Sequence, residues 1–316
     1  NFTDSAVRNK CTISFIIRKK RRFCAAPKKP AAASKTDILC SSIKRKNNLN
    51  YLREKNMDKN TGNGAAKTVQ KGGLSQKEQK ELVGKTAVDR LMEKGLIRSG
   101  MKIGLGTGST AIVAVRRLAE LLHGGALSGI KAVVTSFQTG IACEEYGIPV
   151  FTLNSKEIAG KLDLSIDGAD EIDPDNNLIK GGGAAHVQEK IVEYNTKRLV
   201  IIADESKLVP HLGTKFPLPV EIIPASRGPV VREIEKLGAS CVLRSCAGKD
   251  GPIVTDNGNQ ILDCTWPALS DGSSPVNPAK MEDRVNKITG VVENGFFTKN
   301  KPLVFIAHAD GTVEER

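Results

Sequence analysis

The sequence predicts an α/β protein, a doubly wound, mostly parallel, Rossmann-like sheet joined to a second, smaller α+β domain. Three observations predict it. From Leu74 onward, short apolar runs alternate with segments of helical periodicity, the pattern of successive βαβ units. Several of those runs end in glycine-rich or acidic turns, where the strands of such a sheet present ligand-binding loops. After Pro210 the texture changes to a Pro-bounded apolar run and short strands around a tight Asp-Asn-Gly turn.

Taken in order, Ser75 with Glu78 three residues on forms a capping box for a helix reaching Ile97, with Leu82, Val83, Val88 and Leu91 at helical spacing. Met101–Leu105 reads as a strand and Ala111–Leu122 as the helix after it. Ile130–Thr135 is a second strand, followed by a helix around Gly140–Tyr146 and a strand at Val150–Leu153. Lys161–Asp167 places Leu162, Leu164 and Ile166 on one face of a strand. A helix from Ala184 to Asn195 and a strand at Leu199–Ala203 complete the run. Beyond it, Phe216–Pro224 is the Pro-bounded apolar run and Val230–Leu237 a helix. Ser240–Leu243, Ile253–Thr255 and Gln260–Asp263 read as strands, the last two joined as a hairpin. The polar loop Pro267–Pro278 is expected to be mobile, and Gly290–Val292 and Leu303–Ala307 to return to the first sheet as edge strands. The expected division is a disordered basic leader at 1–73, a Rossmann-like catalytic domain at 74–212 plus 289–316, and the small α+β domain at 213–288.

The net charge of +12 would suit a nucleic-acid binder, but its location argues against one. Residues 1–56 hold 15 Lys/Arg against three acids, and the rest of the chain holds 32 of each sign. The excess belongs to the leader alone, so no nucleic-acid partner is expected. An acid-poor basic leader resembles an organellar transit peptide, which would place the protein in the plastid stroma. Translated upstream sequence ahead of Met57 would instead leave it in the cytoplasm; both readings stay open. No apolar run approaches the ~18 residues of a membrane span, so no membrane partner is expected. Seven Cys without CxxC spacing suggest reduced thiols. The four His lie far apart without ligand spacing, so neither a metal nor an organic cofactor is expected.

Four segments carry chemistry. Gly104-Leu-Gly-Thr-Gly-Ser-Thr110 lies between a strand and a helix; Thr107, Gly108, Ser109 and Thr110 offer backbone N–H groups, hydroxyls and a helix N-terminus to a phosphate. It is no P-loop, lacking Gly-Lys-Ser/Thr, and Ser109 stands where a dinucleotide fingerprint needs its third glycine. Asp167-Gly168-Ala169-Asp170 ends a strand with two carboxylates suited to sugar hydroxyls or a cation, and the absence of nearby His favours hydroxyls. Lys180-Gly181-Gly182-Gly183 precedes a helix bearing Glu189; a triple glycine marks backbone that approaches something closely. Lys207, after the strand Leu199–Ala203, falls at the same sheet edge. Together these supply anion donors, hydroxyl acceptors, two cations and a base.

Taken as a set, GLGTGST, SIDGADEID, KGGGAA with a Glu nine residues after the Lys, ADESK and FPLPVEIIP resemble the type A ribose-5-phosphate isomerases over residues 74–316. The resemblance implies a cofactor-free aldose–ketose isomerase of the pentose phosphate pathway and Calvin cycle, acting on D-ribose 5-phosphate and D-ribulose 5-phosphate; a two-domain unit this small is expected to form a homodimer or tetramer. It further implies that Glu189 moves a proton between C1 and C2 through an enediolate. Thr107–Thr110 and Lys207 would hold the substrate, joined at the phosphate by Lys80. Asp167–Asp170 would hold hydroxyls and assist ring opening, and Lys180–Gly183 would line the reacting end. Two other classes compete. A sugar-phosphate-sensing regulator calls for a helix-turn-helix pattern ahead of residue 75, which the sequence lacks. A transferase with a Glu nucleophile calls for a larger chain or a partner subunit.

Overall fold

The computed structural model describes residues 73–316, apart from residues 249, 270, 271, 273 and 275. The basic leader, Gly73 excepted, lies outside the described residues, as does part of the loop at 267–278.

The first helix, α1 (Gln76–Glu93), starts on the expected capping box: the Ser75 side chain accepts from the Glu78 N–H, and the Glu78 carboxylate accepts from the Ser75 N–H at 2.8 Å. Then follow β1 (Lys102–Leu105), α2 (Ala111–His123), β2 (Lys131–Val134), α3 (Phe137–Glu145) and β3 (Leu164–Asp167). Two short strands, β4 (Glu171–Ile172) and β5 (Leu178–Ile179), lead to α4 (His186–Glu193) and β6 (Leu199–Asp204). The second part of the chain holds β7 (Leu218–Ile222), α5 (Arg227–Glu235), β8 (Ser240–Leu243), β9 (Gln260–Thr265), α6 (Pro278–Asn286), β10 (Val291–Asn294) and β11 (Phe296–Phe297). The chain closes with β12 (Leu303–Ala307) and β13 (Val313–Glu315).

Six strands form the central sheet in the order β13-β12-β6-β3-β1-β2, all parallel except β13, which pairs antiparallel to β12. Its inner strands are buried on both faces, as parallel strands covered by helices must be. On one face Ile103, Leu105, Ile166, Val200, Ile202 and Phe305 pack with Val83, Val88 and Leu91 of α1 and Leu118 of α2. On the other, Val192 of α4 packs with Val133 and Leu162, while Ile201, Val304 and Ile306 meet Ile172, Leu178 and Phe297 of the three-stranded sheet β11-β5-β4. A separate antiparallel sheet, β10-β7-β9-β8, builds its own core from Leu218, Val220, Ile222 and Leu262 against Val230 and Ile234 of α5 and Met281 and Val285 of α6.

Several expected elements are corrected. Val150–Leu153 forms no strand: Val150 makes a single bridge to Ala132, and the chain then turns at Thr152–Ser155. Ile253–Thr255 is not a strand of a hairpin with β9: the Ile253 N–H donates to the Arg244 carbonyl and the Thr255 N–H closes the turn on the Asn259 carbonyl (2.9 Å each), while the side chains of Thr255, Asn257 and Asn259 donate to the buried Glu221 carboxylate (3.0, 3.0 and 2.8 Å). The strand at Gly290–Val292 joins β7 of the small sheet rather than the central one. Leu303–Ala307 is internal, with β13 outside it.

Candidate active site

The strand order reverses between β1 and β3. One connection runs from β1 through α2 to β2, and another from β3 through α4 to β6 on the opposite flank. The carboxyl ends of strands at such a point leave a crevice for ligands. A cleft of about 150 Å³ opens there, and it is lined by residues from all four expected segments.

The loop after β1 forms the first wall. A Cβ on Gly106 would lie 1.9 Å from a carboxylate oxygen of Asp167, so only glycine lets β1 and β3 close at this level. Gly108, Ser109 and Thr110 follow, lining the cleft at the start of α2. Thr110 caps that helix without a side-chain hydrogen bond. Among the described residues, the N–H groups of these three make no hydrogen bond. Free amides at the positive end of a helix are a ready anion cradle. Thr107 lines the same wall, but its hydroxyl turns inward to Thr135 (2.7 Å), and Thr139 donates to the Gly106 carbonyl (2.8 Å). Thr107 therefore braces the loop with its side chain, where the sequence suggested an anion donor. Lys207, in the turn after β6, and Lys80 of α1 bring two cations to the cleft.

The opposite end is acidic and buried. Asp167 does not line the cleft; it lies beneath, accepting from the Thr107 N–H (3.1 Å) and the Gly168 N–H (2.7 Å). Gly168, Ala169 and Asp170 form the rim above it, and Asp170 accepts from the Gly182 N–H at 2.7 Å. Gly181 sits at φ +106°, and a Cβ there would meet the His186 ring at 2.7 Å. Gly182 and Gly183 continue the lining. At the floor, the Lys180 ammonium lies 2.9 Å from Asp167, 3.2 Å from Glu193 and 3.6 Å from Glu189, while donating to the Gly168 carbonyl at 2.6 Å.

Three carboxylates surrounding one ammonium leave a surplus of negative charge in a dry site. Asp167 Oδ2, Glu189 Oε2 and Glu193 Oε1 lie within ion-pair range of Lys180, and Glu193 Oε2 is buried without a hydrogen-bond partner among the described residues. Burial pushes the Glu189 carboxyl up to about 8; Lys180 opposes the rise, and Asp167 and Asp170 add to it. Glu193 is raised well above its ordinary value too, by burial first; Lys180 opposes the rise, and Asp167 and Glu189 add to it. Burial alone would lower Lys180, but Asp167, Glu189 and Glu193 hold it well above its ordinary value. The result is a permanent cation beside a carboxyl that exchanges its proton near neutral pH, the property a general acid–base group requires.

Sequence reading missed three contributors. Glu193, four residues after Glu189 and so on the same helical face, was legible from spacing. His186 is buried under Gly181, and burial pushes it down to about 3, so it packs there as a neutral ring. Arg244, at the end of β8, donates to the carbonyls of Gly181 (2.8 Å) and Gly182 (3.3 Å) from far along the chain.

An anion cradle facing a buried carboxylate–lysine group on a doubly wound sheet defines an enzyme of small phosphorylated substrates that works by proton transfer. A family model, ribose 5-phosphate isomerase A (phosphoriboisomerase A), matches residues 131–311. The chain is 57% identical over 236 residues to "Ribose-5-phosphate isomerase A" of Treponema denticola, covering 75% of this chain and 97% of that one. It is 44% identical over 241 residues to the protein of that name from Thermosynechococcus vestitus, covering 76% and 96%. Among solved structures, the ribose 5-phosphate isomerase A of Methanocaldococcus jannaschii aligns with a TM-score of 0.67 at 39% identity, over 77% of this chain and all of that one. A D-ribose-5-phosphate isomerase in complex with phospho-erythronic acid aligns at 0.69 and 38% identity, again over 77% and all of the two chains. The chain belongs to the ribose 5-phosphate isomerase A family.

Proposed function

We propose that the cleft binds D-ribose 5-phosphate with its phosphate on Gly108–Thr110, Lys207 and Lys80, and its C1–C2 end over Lys180–Gly183 beside Glu189. The enzyme interconverts ribose 5-phosphate and ribulose 5-phosphate, a step of the non-oxidative pentose phosphate pathway and of the Calvin cycle. Glu189 in its ionised form removes the proton from C2 of the open-chain aldose and returns it to C1, passing through an enediolate, while the hydroxyl proton passes from O2 to O1. Lys180 and the N–H groups of the glycine loop stabilise the oxyanion that forms; losing one such donor typically costs about 10²–10³-fold. Asp170 receives sugar hydroxyls and assists ring opening, and Asp167 supports it from beneath the cleft through its hold on the Thr107 and Gly168 amides.

The observation that carries this reading is the position of Glu189, on the cleft, buried, and 3.6 Å from Lys180. The test is turnover of ribose 5-phosphate by the purified protein, with phospho-erythronic acid added. That compound places a carboxylate where the enediolate develops, so competitive inhibition is expected. Binding of ribose 5-phosphate without turnover would instead make this a sugar-phosphate sensor. Chelation by EDTA should leave turnover unchanged, because the Lys180 ammonium already occupies the centre of the carboxylates; inactivation would reassign Asp167 and Asp170 to a metal.

The same reading includes a homo-oligomer of two or four chains, supported by the exposed apolar side chains of Phe137, Ile141 and Ile191 and tested by light scattering. It also includes a reducing compartment, cytoplasm or plastid stroma. Cys143, Cys241, Cys246 and Cys264 are all free thiols, although the sulfurs of Cys241 and Cys264 lie 3.3 Å apart.

A further inference from the structure

We infer that Arg244 is a positioning residue for the isomerisation: from the small sheet, it sets the direction of the glycine-loop amides that face the reacting end of the sugar. This inference rests on the placement of C1 and C2 over Lys180–Gly183 proposed above. The guanidinium of Arg244 is a fork held from behind. Its Nε and Nη2 donate to the two oxygens of Asp263 on the neighbouring strand β9, at 2.9 and 2.5 Å. Its backbone is pinned on both sides, its N–H to Ile261 and its carbonyl accepting from Ile253, each at 2.9 Å. The remaining nitrogen, Nη1, points at the carbonyls of Gly181 and Gly182.

A trans peptide carries its C=O and N–H on opposite sides of one plane, so fixing the carbonyl fixes the amide. Where Arg244 takes the Gly181 carbonyl, the Gly182 N–H points the other way and meets Asp170 at 2.7 Å. Where it takes the Gly182 carbonyl, the Gly183 N–H is turned away from Arg244, and it has no partner among the described residues. Gly183 lines the cleft. Three successive glycines would otherwise sample many conformations, since no side chain restrains them. The cation also polarises both peptides, strengthening their amides as donors. Arg244 does not line the cleft, so its effect passes through the loop alone.

The experiment is steady-state kinetics on Arg244→Ala and Asp263→Asn, with thermal unfolding of each recorded in parallel. Arg244→Ala should lower kcat about 10–100-fold, the range expected when donors are misplaced by an ångström or less, with KM within threefold because the phosphate cradle is untouched. Asp263→Asn keeps the guanidinium but loosens its aim, so it should lower kcat about threefold to tenfold, again at constant KM. Arg244→Lys should recover only part of the loss, since an ammonium cannot hold Asp263 and both carbonyls at once. If Arg244→Ala fails to fold, Asp263→Asn decides alone. A kcat within twofold of wild type in the folded variants overturns the inference. So does a rise in KM at unchanged kcat, which would put the phosphate rather than C1–C2 against the glycine loop and so sink the substrate placement too. Loss of activity in Glu189→Gln beside normal kinetics in Arg244→Ala would leave the base assignment standing and remove only this inference.

Discussion

Two buried lysines ten residues apart in sequence live in opposite circumstances. Lys190, on α4, lies 3.0 Å from Glu293 and 3.3 Å from Glu282 and donates to the Asn294 carbonyl at 2.8 Å. Its carboxylate partners each take further donors. Glu282 accepts from Tyr194 (2.8 Å) and from the hydroxyl and N–H of Thr298 (2.5 and 3.2 Å), and Glu293 accepts from Asn286 (2.6 Å) and the Asn294 N–H (2.8 Å). Lys180 has three carboxylates around it and four oxygens without a well-directed hydrogen bond. A satisfied buried network holds elements together; an unsatisfied one stores the capacity to move a proton. One helix carries both, with Glu189 and Glu193 toward Lys180, and Lys190 binding α4 to α6 and β10.

The sharpest way to break this contrast is Glu189→Gln. It should fold and lose at least about 10³-fold in kcat, the strong end of general-base effects. It should also be more stable than wild type. Glu189 titrates near 8 when folded and near 4.5 when unfolded. A group raised by folding contributes fully below the lower value and loses that contribution as pH rises through the higher one. The variant's advantage in unfolding free energy should therefore grow between pH 5 and 8, to on the order of 1 kcal/mol or more.

Next comes Lys180→Met, which should lower kcat about 10²–10³-fold by removing the cation from the oxyanion. It also leaves Asp167, Glu189 and Glu193 without their counter-charge, so its stability should fall as pH rises. A pH-independent stability would mean that the three carboxylates do not share one electrostatic environment.

Lys190→Met should behave the other way round. Breaking a buried ion pair typically costs about 3–5 kcal/mol, readable by urea unfolding. Turnover per folded molecule should change less than about tenfold. A large kcat loss at unaltered stability would show that the two lysines are not divided between fold and chemistry.

Much of this was legible beforehand because it is local. A capping box, a glycine turn after an apolar run and an acidic strand end are each written within a few residues, and Ser75, Gly106 and Asp167 all sit where those patterns put them. Errors arose where an apolar run depends on a distant partner. Val150 finds only one bridge at the sheet edge, and the Ile253 N–H goes to Arg244 instead of to β9. Thr107 lines the cleft, yet the direction of its hydroxyl depends on Thr135 and Thr139, residues of another βα unit. Arg244 reaches the glycine loop from 62 positions away, through the register of β8 on β9, and no window along the chain contains both.

The contrast comes down to where Glu189 keeps its proton, and the pH dependence of kcat/KM for ribose 5-phosphate reads that in the free enzyme. Measured from pH 6.5 to 9.5, above the second ionisation of the sugar phosphate near 6, kcat/KM should climb about tenfold per unit and level off near 8. A profile already flat at pH 6.5 would mean that Glu189 ionises like an exposed carboxylate, and the unsatisfied cluster around Lys180 would then not be what makes it a base.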